Sequence, residues 1–426
     1  MGRLSGSGPN LPRPKLEMID SEPDKTFAQA KVAASSSKGE ANEPKTPPDL
    51  GTPPDLGRRG FVAKAAAGLA ATSVVAACGA GESGELDGAP AVQTGQRVLW
   101  RLASSYPRNI DTIWGAGEVL AAEVASLTDD RFQIRVYPAG ELVPPLQVMD
   151  AVQQNTVQCC HTASYYFTGK NPVLAFDACV PFGLTPRQQN AWLFQGGGLE
   201  QMRRAYADFN IINFPSGNTG AQMGGWFRRE VNTTGDLRGL KMRIPGLGGQ
   251  VMDRMGVAVQ NIAGGEVYQA LERGAIDAAE WVGPHDDERL GLHQAANFYY
   301  YPGWWEPGPG MSCLVNLDAW NQLPSSYQAA FRIACKAAHS ELQTAYDAKN
   351  PPALRRLLDG GVELRKFSPE IMDFARTTSL EIMEENANGD AYYREVYESW
   401  KRFKEDSFQW FGTNELAYAE YAFRNS

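Results

Sequence analysis

From Val98 onward the chain alternates two kinds of hydrophobic pattern. Val98, Trp100 and Leu102 stand at every second position with polar residues between them, which is the period of a strand. Ile113, Trp114, Val119, Leu120, Val124 and Leu127 then recur at helical spacing, with Asp111 expected as the cap. Phe132, Ile134 and Val136 predict a second strand, Leu146 to Gln153 a second helix and Val157 to His161 a third strand. Thr185-Pro186-Arg187-Gln188 opens another helix, with Thr at the cap, Pro at the first helical position and Gln at the third. Further strands are expected at Ile211 to Phe214, Met223 to Arg229, Leu240 to Ile244, Val257 to Ile262 and Ala278 to Val282. Short helices at Gly249 to Met255 and Glu266 to Arg273 separate them. Strands alternating with helices predict an α/β protein with parallel sheets, which bind ligands in crevices beyond the carboxyl ends of their strands.

The last third changes character. Pro324 to Ala348, Ser368 to Asn388 and Ala391 to Phe411 are long and helical, and the last of these carries Tyr392, Tyr393, Tyr397, Trp400, Phe403, Phe408, Trp410 and Phe411. Those aromatics either bury against the rest of the chain or form a subunit contact.

Residues 1–57 are rich in Pro, Ser, Gly, Lys and Glu, and Thr46 to Gly51 is repeated as Thr52 to Gly57. So few large apolar side chains cannot repay the entropy of ordering, so the segment reads as a disordered leader. Residues 58–77 read as a twin-arginine signal peptide: Arg58-Arg59, then Phe61, then the uncharged Ala-rich run Ala65 to Ala77. That run falls short of the roughly twenty residues that span a bilayer. Val75-Ala76-Ala77-Cys78 has the small-residue pattern of a lipoprotein cleavage box, in which Cys78 would carry lipid.

Composition narrows the function classes. With 43% hydrophobic and 21% charged residues the 426-residue chain is an ordinary globular protein, and its net charge of −9 argues against a nucleic-acid partner. Without residues 1–77 the balance is about −11, so capture of an anion must rest on local chemistry and not on long-range steering. Six Cys and four His form no zinc-like spacing. No G-x-S-x-G, Walker loop or HExxH occurs, and Gly246-Leu247-Gly248-Gly249 is too short for a dinucleotide turn.

Three segments carry candidate chemistry. In Lys241-Met242-Arg243-Ile244-Pro245-Gly246 an Arg sits in an apolar strand just before a turn; it is either a solvated edge charge or a fork for a carboxylate. In Asp277 to Pro284, alternation puts Glu280 on one face and Trp281 on the other; Glu280 is either solvated or in need of a cationic partner. Asn218 to Trp226, polar amides broken by glycines, fits turn chemistry equally well.

These segments, with Arg101 to Ser105, Glu141 to Pro144, Cys159 to Thr162, Gly217 to Gly220, Gln222 to Glu230, Glu280 to Pro284 and Tyr299 to Trp305, resemble the solute-binding subunits of tripartite ATP-independent periplasmic (TRAP) transporters. Within that family the chain is similar to the 2-oxoacid-binding branch. The resemblance implies a two-lobed periplasmic solute-binding fold of the α/β class with a long C-terminal helical segment. Residues 97–221 would form the first part of lobe I and 222–305 the main part of lobe II. Residues 306–350 would return to lobe I and supply the connecting helix, with C-terminal helices at 351–426. It further implies Arg243 as the carboxylate anchor, and a sodium ion, with calcium as the alternative, held by Glu280, Gln222 and the main-chain carbonyl of Trp281. Asn218, Tyr165 and Tyr166 are additional ligand contacts on this reading. The implied partners are a small organic monocarboxylate, the TRAP membrane permease subunits and a second copy joined through the C-terminal helix. A carboxylate-holding enzyme, a calcium-dependent lactate binder and a lipid-tethered sensor are the rival readings.

Overall fold

The computed structural model describes residues 96–424; the leader, the twin-arginine segment and Cys78 lie outside them. Eleven strands form two sheets. In chain order they are β1 (Val98–Ser104), β2 (Phe132–Tyr137), β3 (Cys159–Thr162), β4 (Ile211–Asn218), β5 (Trp226–Phe227), β6 (Lys241–Arg243), β7 (Ala258–Gln260), β8 (Ala278–Ala279), β9 (Phe298–Tyr301), β10 (Gly310–Asn316) and β11 (Glu363–Lys366). The first sheet runs β2-β1-β3-β10-β4 and the second β11-β9-β5-β8-β6-β7.

The expectation of parallel sheets is corrected. β1 pairs in parallel with β2 and β3, but β10 returns antiparallel between β3 and β4. In the second sheet β6 is parallel to β7 and β8, while β5 lies antiparallel to both β8 and β9. β10 escaped the hydrophobic pattern because all seven of its residues are buried, so its sequence has no polar face to alternate. β5 keeps only two residues of the strand expected from Met223 to Arg229, and β8 stops at Ala279.

Helix α1 (Gly115–Leu127) starts later than Asp111 and has Trp114 at its cap position, with no side-chain cap bond. Asp111 instead accepts from His285 Nε2 at 2.8 Å and Lys349 Nζ at 2.9 Å, which hold its carboxyl down at about 2 against a modest burial. Helix α2 (Pro186–Gln195) does carry the expected capping box, Thr185 with Gln188. Helix α3 (Gly246–Arg254) begins on the glycine turn itself, directly after β6. Helix α4 (Pro284–Leu290) follows the Glu280–Trp281 segment.

The long helix α5 (Ser325–Asp359) runs through Pro351 and Pro352, past the expected boundary at 350/351. It packs on α1 and β4, of the first sheet, and on α4, the helix that follows β8 of the second. The chain then adds β11 to the second sheet, so residues 351–426 are not helices alone. Helices α6 (Pro369–Gly389) and α7 (Ala391–Phe411) pack on each other, and α8 (Ala417–Arg424) ends the described chain. Along α7 the two readings of the aromatics divide by position: Tyr393, Tyr397 and Trp400 are buried, whereas Phe408 and Trp410 are exposed. No described helix is long and apolar enough to cross a membrane.

Candidate functional site

The site is built where β6 and β8 end. These strands are parallel neighbours with Arg243 in register with Ala279, so Glu280 emerges one residue beyond the Arg. Glu280 N donates to Arg243 O at 3.2 Å, and Arg243 Nη1 donates back to Glu280 O at 3.1 Å and to the Glu280 carboxylate. Arg243 Nε is taken by Ile262 O at 3.1 Å, and the guanidinium carbon lies 5.2 Å from the centre of the Trp281 ring. Arg243 is 1% exposed and Glu280 1% exposed. Neither is the solvated charge that one reading of the sequence allowed. Among the described residues Arg243 is the only Lys or Arg that is fully buried.

Strand alternation had set Glu280 and Trp281 on opposite faces. Because β8 stops at Ala279, that rule no longer holds beyond it, and both residues meet the same guanidinium. Burial pushes the Glu280 carboxyl up to about 7, with Arg243 pulling the other way. For Arg243, burial works against the charge, but Glu280 together with Tyr166, Tyr165 and Glu306 outweighs it and raises the guanidinium above its ordinary value.

A second strand of chain runs alongside. Gln222 N donates to Glu306 O at 3.2 Å and Met223 N to Val282 O at 3.0 Å, which lays the glycine-rich segment against the Glu280–Val282 run. Gly225 makes that approach possible: its φ is +79°, and a Cβ there would sit 2.6 Å from Ala279 O. The Gln222 amide nitrogen donates to Thr219 Oγ1 at 3.1 Å. Asn218, by contrast, is fully engaged: its Nδ2 donates to Asn190 Oδ1 and Gly308 O, and its Oδ1 accepts from Gly220 N. It shapes the turn that presents Gln222 and has no polar atom left over.

Tyr165 and Tyr166 close the site from the first sheet's side, with rings 5.0 Å apart and edge to face. Burial pushes the Tyr166 hydroxyl up to about 12, against the pull of Arg243. A cleft of about 540 Å³ opens beside both tyrosines and the Ile244–Gly246 turn. Tyr165 OH donates to Glu306 Oε2 at 3.3 Å. Glu306 is the residue that the sequence reading missed. It is 3% exposed, and burial, then the nearby Glu280, push its carboxyl well above the usual range. Its only signal in the sequence is a carboxylate set in Trp304-Trp305-Glu306-Pro307, a run with no other charged side chain.

Some of the polar atoms without partners among the described residues lie on these side chains. Arg243 Nη2, Glu280 Oε2 and Gln222 Oε1 are buried and form no hydrogen bond within the structure. Buried polar atoms are rarely left unpaired, and these three would take an acceptor at the guanidinium and a donor or cation at the oxygens. Oxygen atoms from a carboxylate and an amide suit a hard cation such as sodium or calcium. No group of three or more His, Cys, Asp or Glu that could hold a metal ion occurs among the described residues.

Residues 103–390 match the model of the bacterial extracellular solute-binding proteins, family 7 (DctP). The monocarboxylate 2-oxoacid-binding periplasmic protein of a Nostoc species is 54% identical over 365 residues, covering 86% of this chain and 98% of that one. A TRAP solute-binding protein from Bordetella bronchiseptica, a mixed-occupancy dimer with calcium and picolinate in one active site, is 46% identical with a TM-score of 0.77, over 78% of this chain and 98% of that one. One from Pseudoalteromonas atlantica, with bound sodium and pyruvate, is 38% identical with a TM-score of 0.74, over 76% and 99%. A family match over most of the described chain, and relatives that align along nearly their whole length, lead to one assignment: the chain belongs to the family 7 extracellular solute-binding proteins, the DctP-type solute-binding proteins of TRAP transporters.

Proposed function

We propose that this protein captures a short 2-oxo monocarboxylate, pyruvate or a near relative, outside the cytoplasmic membrane and delivers it to TRAP permease subunits without chemical turnover. The observation that carries the reading is the set of buried unpartnered atoms, Arg243 Nη2, Glu280 Oε2 and Gln222 Oε1. One guanidinium answers one carboxylate. Glu280, Gln222 and the Trp281 carbonyl would hold the cation, sodium or calcium, whose role is to offer positive charge to the ligand's carboxylate and 2-oxo oxygens. The relatives' bound pyruvate, calcium and sodium support the choice of ligand class and leave either cation open.

The sequence alone suggests a two-bond grip by Arg243. In this arrangement Nε and Nη1 are engaged by Ile262 and Glu280, so Nη2 is the arm available to a ligand. A two-bond grip requires Glu280 to release Nη1. Export at Arg58-Arg59, lipid on Cys78, lobes bounded as the resemblance implies, and pairing of two copies through the C-terminal helices belong to the same proposal. The exposed Phe408, Trp410 and Leu416 support the last of these.

Titration calorimetry with pyruvate, 2-oxobutyrate, lactate, succinate and acetate tests the ligand class. Pyruvate and 2-oxobutyrate are expected to bind tightest, and acetate, without the 2-oxo oxygen, far more weakly. A clear preference for succinate contradicts the reading, since no second buried Arg stands ready for a second carboxylate among the described residues.

A further inference from the structure

Asp287, in the first turn of α4, is a fully buried carboxylate with four donors. Its Oδ1 accepts from Val282 N at 3.2 Å and Gly283 N at 3.1 Å. Its Oδ2 accepts from Trp226 Nε1 at 2.9 Å and Tyr299 OH at 2.7 Å, and those two rings stack with centroids 4.0 Å apart. The bond to Val282 N fixes more than a nitrogen. The peptide joining Trp281 to Val282 is a trans plane, in which the carbonyl and the N–H point in opposite directions. Holding the Val282 N–H toward α4 therefore turns the Trp281 carbonyl away from α4.

The carbonyls on either side are already used. Glu280 O accepts from Arg243 Nη1 at 3.1 Å, and Val282 O accepts from Met223 N at 3.0 Å. The Trp281 carbonyl accepts no hydrogen bond among the described residues, although Trp281 is buried. Nearly all buried carbonyls are paired, so this one is aimed at something other than the protein. Trp281 is flanked in the chain by Glu280 and by Val282, whose carbonyl pairs with Met223 next to Gln222, and the side-chain oxygens of Glu280 and Gln222 also lack partners.

We propose that Asp287 is a positioning residue that aims the Trp281 carbonyl at the bound cation. The proposal rests on the cation-bridged reading above. Asp287 touches neither ligand nor ion; it sets the peptide plane, and Trp226 and Tyr299 hold its other oxygen so that the carboxylate itself cannot rotate. The carbonyl is thus oriented before an ion arrives, and binding requires no rearrangement of the backbone. Partners that orient metal ligands in this way commonly change metal affinity by about 10–100-fold when removed.

The test compares wild type, Asp287→Ala and Tyr299→Phe, each stripped of cations and then titrated with calcium at saturating pyruvate. Asp287→Ala is expected to weaken calcium about 10–100-fold. Tyr299→Phe removes a donor from the same buried carboxylate but leaves Val282 N–H held, so its calcium affinity is expected to stay within about threefold of wild type. Equal weakening in both variants, or wild-type affinity in Asp287→Ala, overturns the proposal. Should Asp287→Ala fail to fold, hydrogen exchange in wild type decides: the Val282 amide is expected to be protected without calcium, and fast exchange that slows only on adding calcium overturns the proposal. Wild type that binds pyruvate equally with and without cations is a different result, which removes the cation-bridged reading and this proposal with it.

Discussion

Arg243 ends β6 and Glu280 follows the last residue of its parallel neighbour β8, and one nitrogen of the Arg donates to both the main-chain oxygen and the carboxylate of the Glu. The pair is buried, so each residue depends on the other: removing one partner of a buried ion pair costs about 3–5 kcal/mol, because the remaining charge is left without compensation. Arg243→Ala is therefore expected to weaken pyruvate binding about a hundredfold to a few thousandfold and to lower the melting temperature as well. Arg243→Lys should recover only part of the affinity, since an ammonium cannot serve Ile262, Glu280 and a ligand from three fixed directions. Calorimetry on both variants, below their melting transitions, checks this; a tenfold or smaller loss in Arg243→Ala contradicts it.

Glu280→Gln keeps the shape of the side chain and removes its charge. Pyruvate binding is expected to weaken and to lose its response to sodium and calcium, because an amide oxygen is a poorer seat for a hard cation. Titrations at several cation concentrations measure the response directly. An unchanged cation dependence would place the ion elsewhere.

Asp177 offers a test of fold energetics away from the ligand site. Its carboxylate accepts from Tyr206 OH, Asn213 Nδ2 and Ser312 Oγ, yet burial outweighs these bonds and raises it to about 6. The folded value lies above the unfolded value of about 3.9, so the folded state favours the protonated form. This residue's contribution to stability consequently rises as pH falls from above 6 toward 4. Asp177→Asn removes the titration, and Asn213, whose Oδ1 has no partner, can turn its amide to receive the new donor. The melting temperature of wild type relative to Asp177→Asn is expected to rise as pH is lowered from 7 to 4. A difference that is flat across that window would contradict the assignment.

How legible the molecule was in its sequence depended on the range of each interaction. The capping box at Thr185 and Gln188 is complete within four residues, and it formed as read. β1 and β2 were legible because each has a polar face. β10 was not, because both its faces are covered, and its antiparallel pairing with β3 joins residues about 150 positions apart that no local pattern connects. The same limit hid Glu306, whose partner Tyr165 is 141 residues away. Arg243 and Glu280 stood out because each sits at the end of a strand whose apolar surroundings leave a charge unexplained. Gln222 and Asn218 lie in a run that turn chemistry explains equally well and were singled out only by the family resemblance; the structure gives Asn218 a local use.

The leader carries its own expectation. Replacing Arg58 and Arg59 by Lys should leave the protein in the cytoplasm, read by fractionation, and Cys78→Ala should abolish labelling with a radioactive fatty acid. Unchanged delivery would exclude the twin-arginine route, and an unlabelled wild type would exclude the lipid.

The most direct test of the central claim is pyruvate binding by one preparation of wild type, first stripped of cations with a chelator and then supplied with sodium or calcium. Oxygen donors without partners at Glu280 and Gln222 require binding to be weak in the stripped protein and restored, by tenfold or more, with one of the two ions. Equal affinity in all three conditions would mean that Arg243 holds the ligand without a bridging ion.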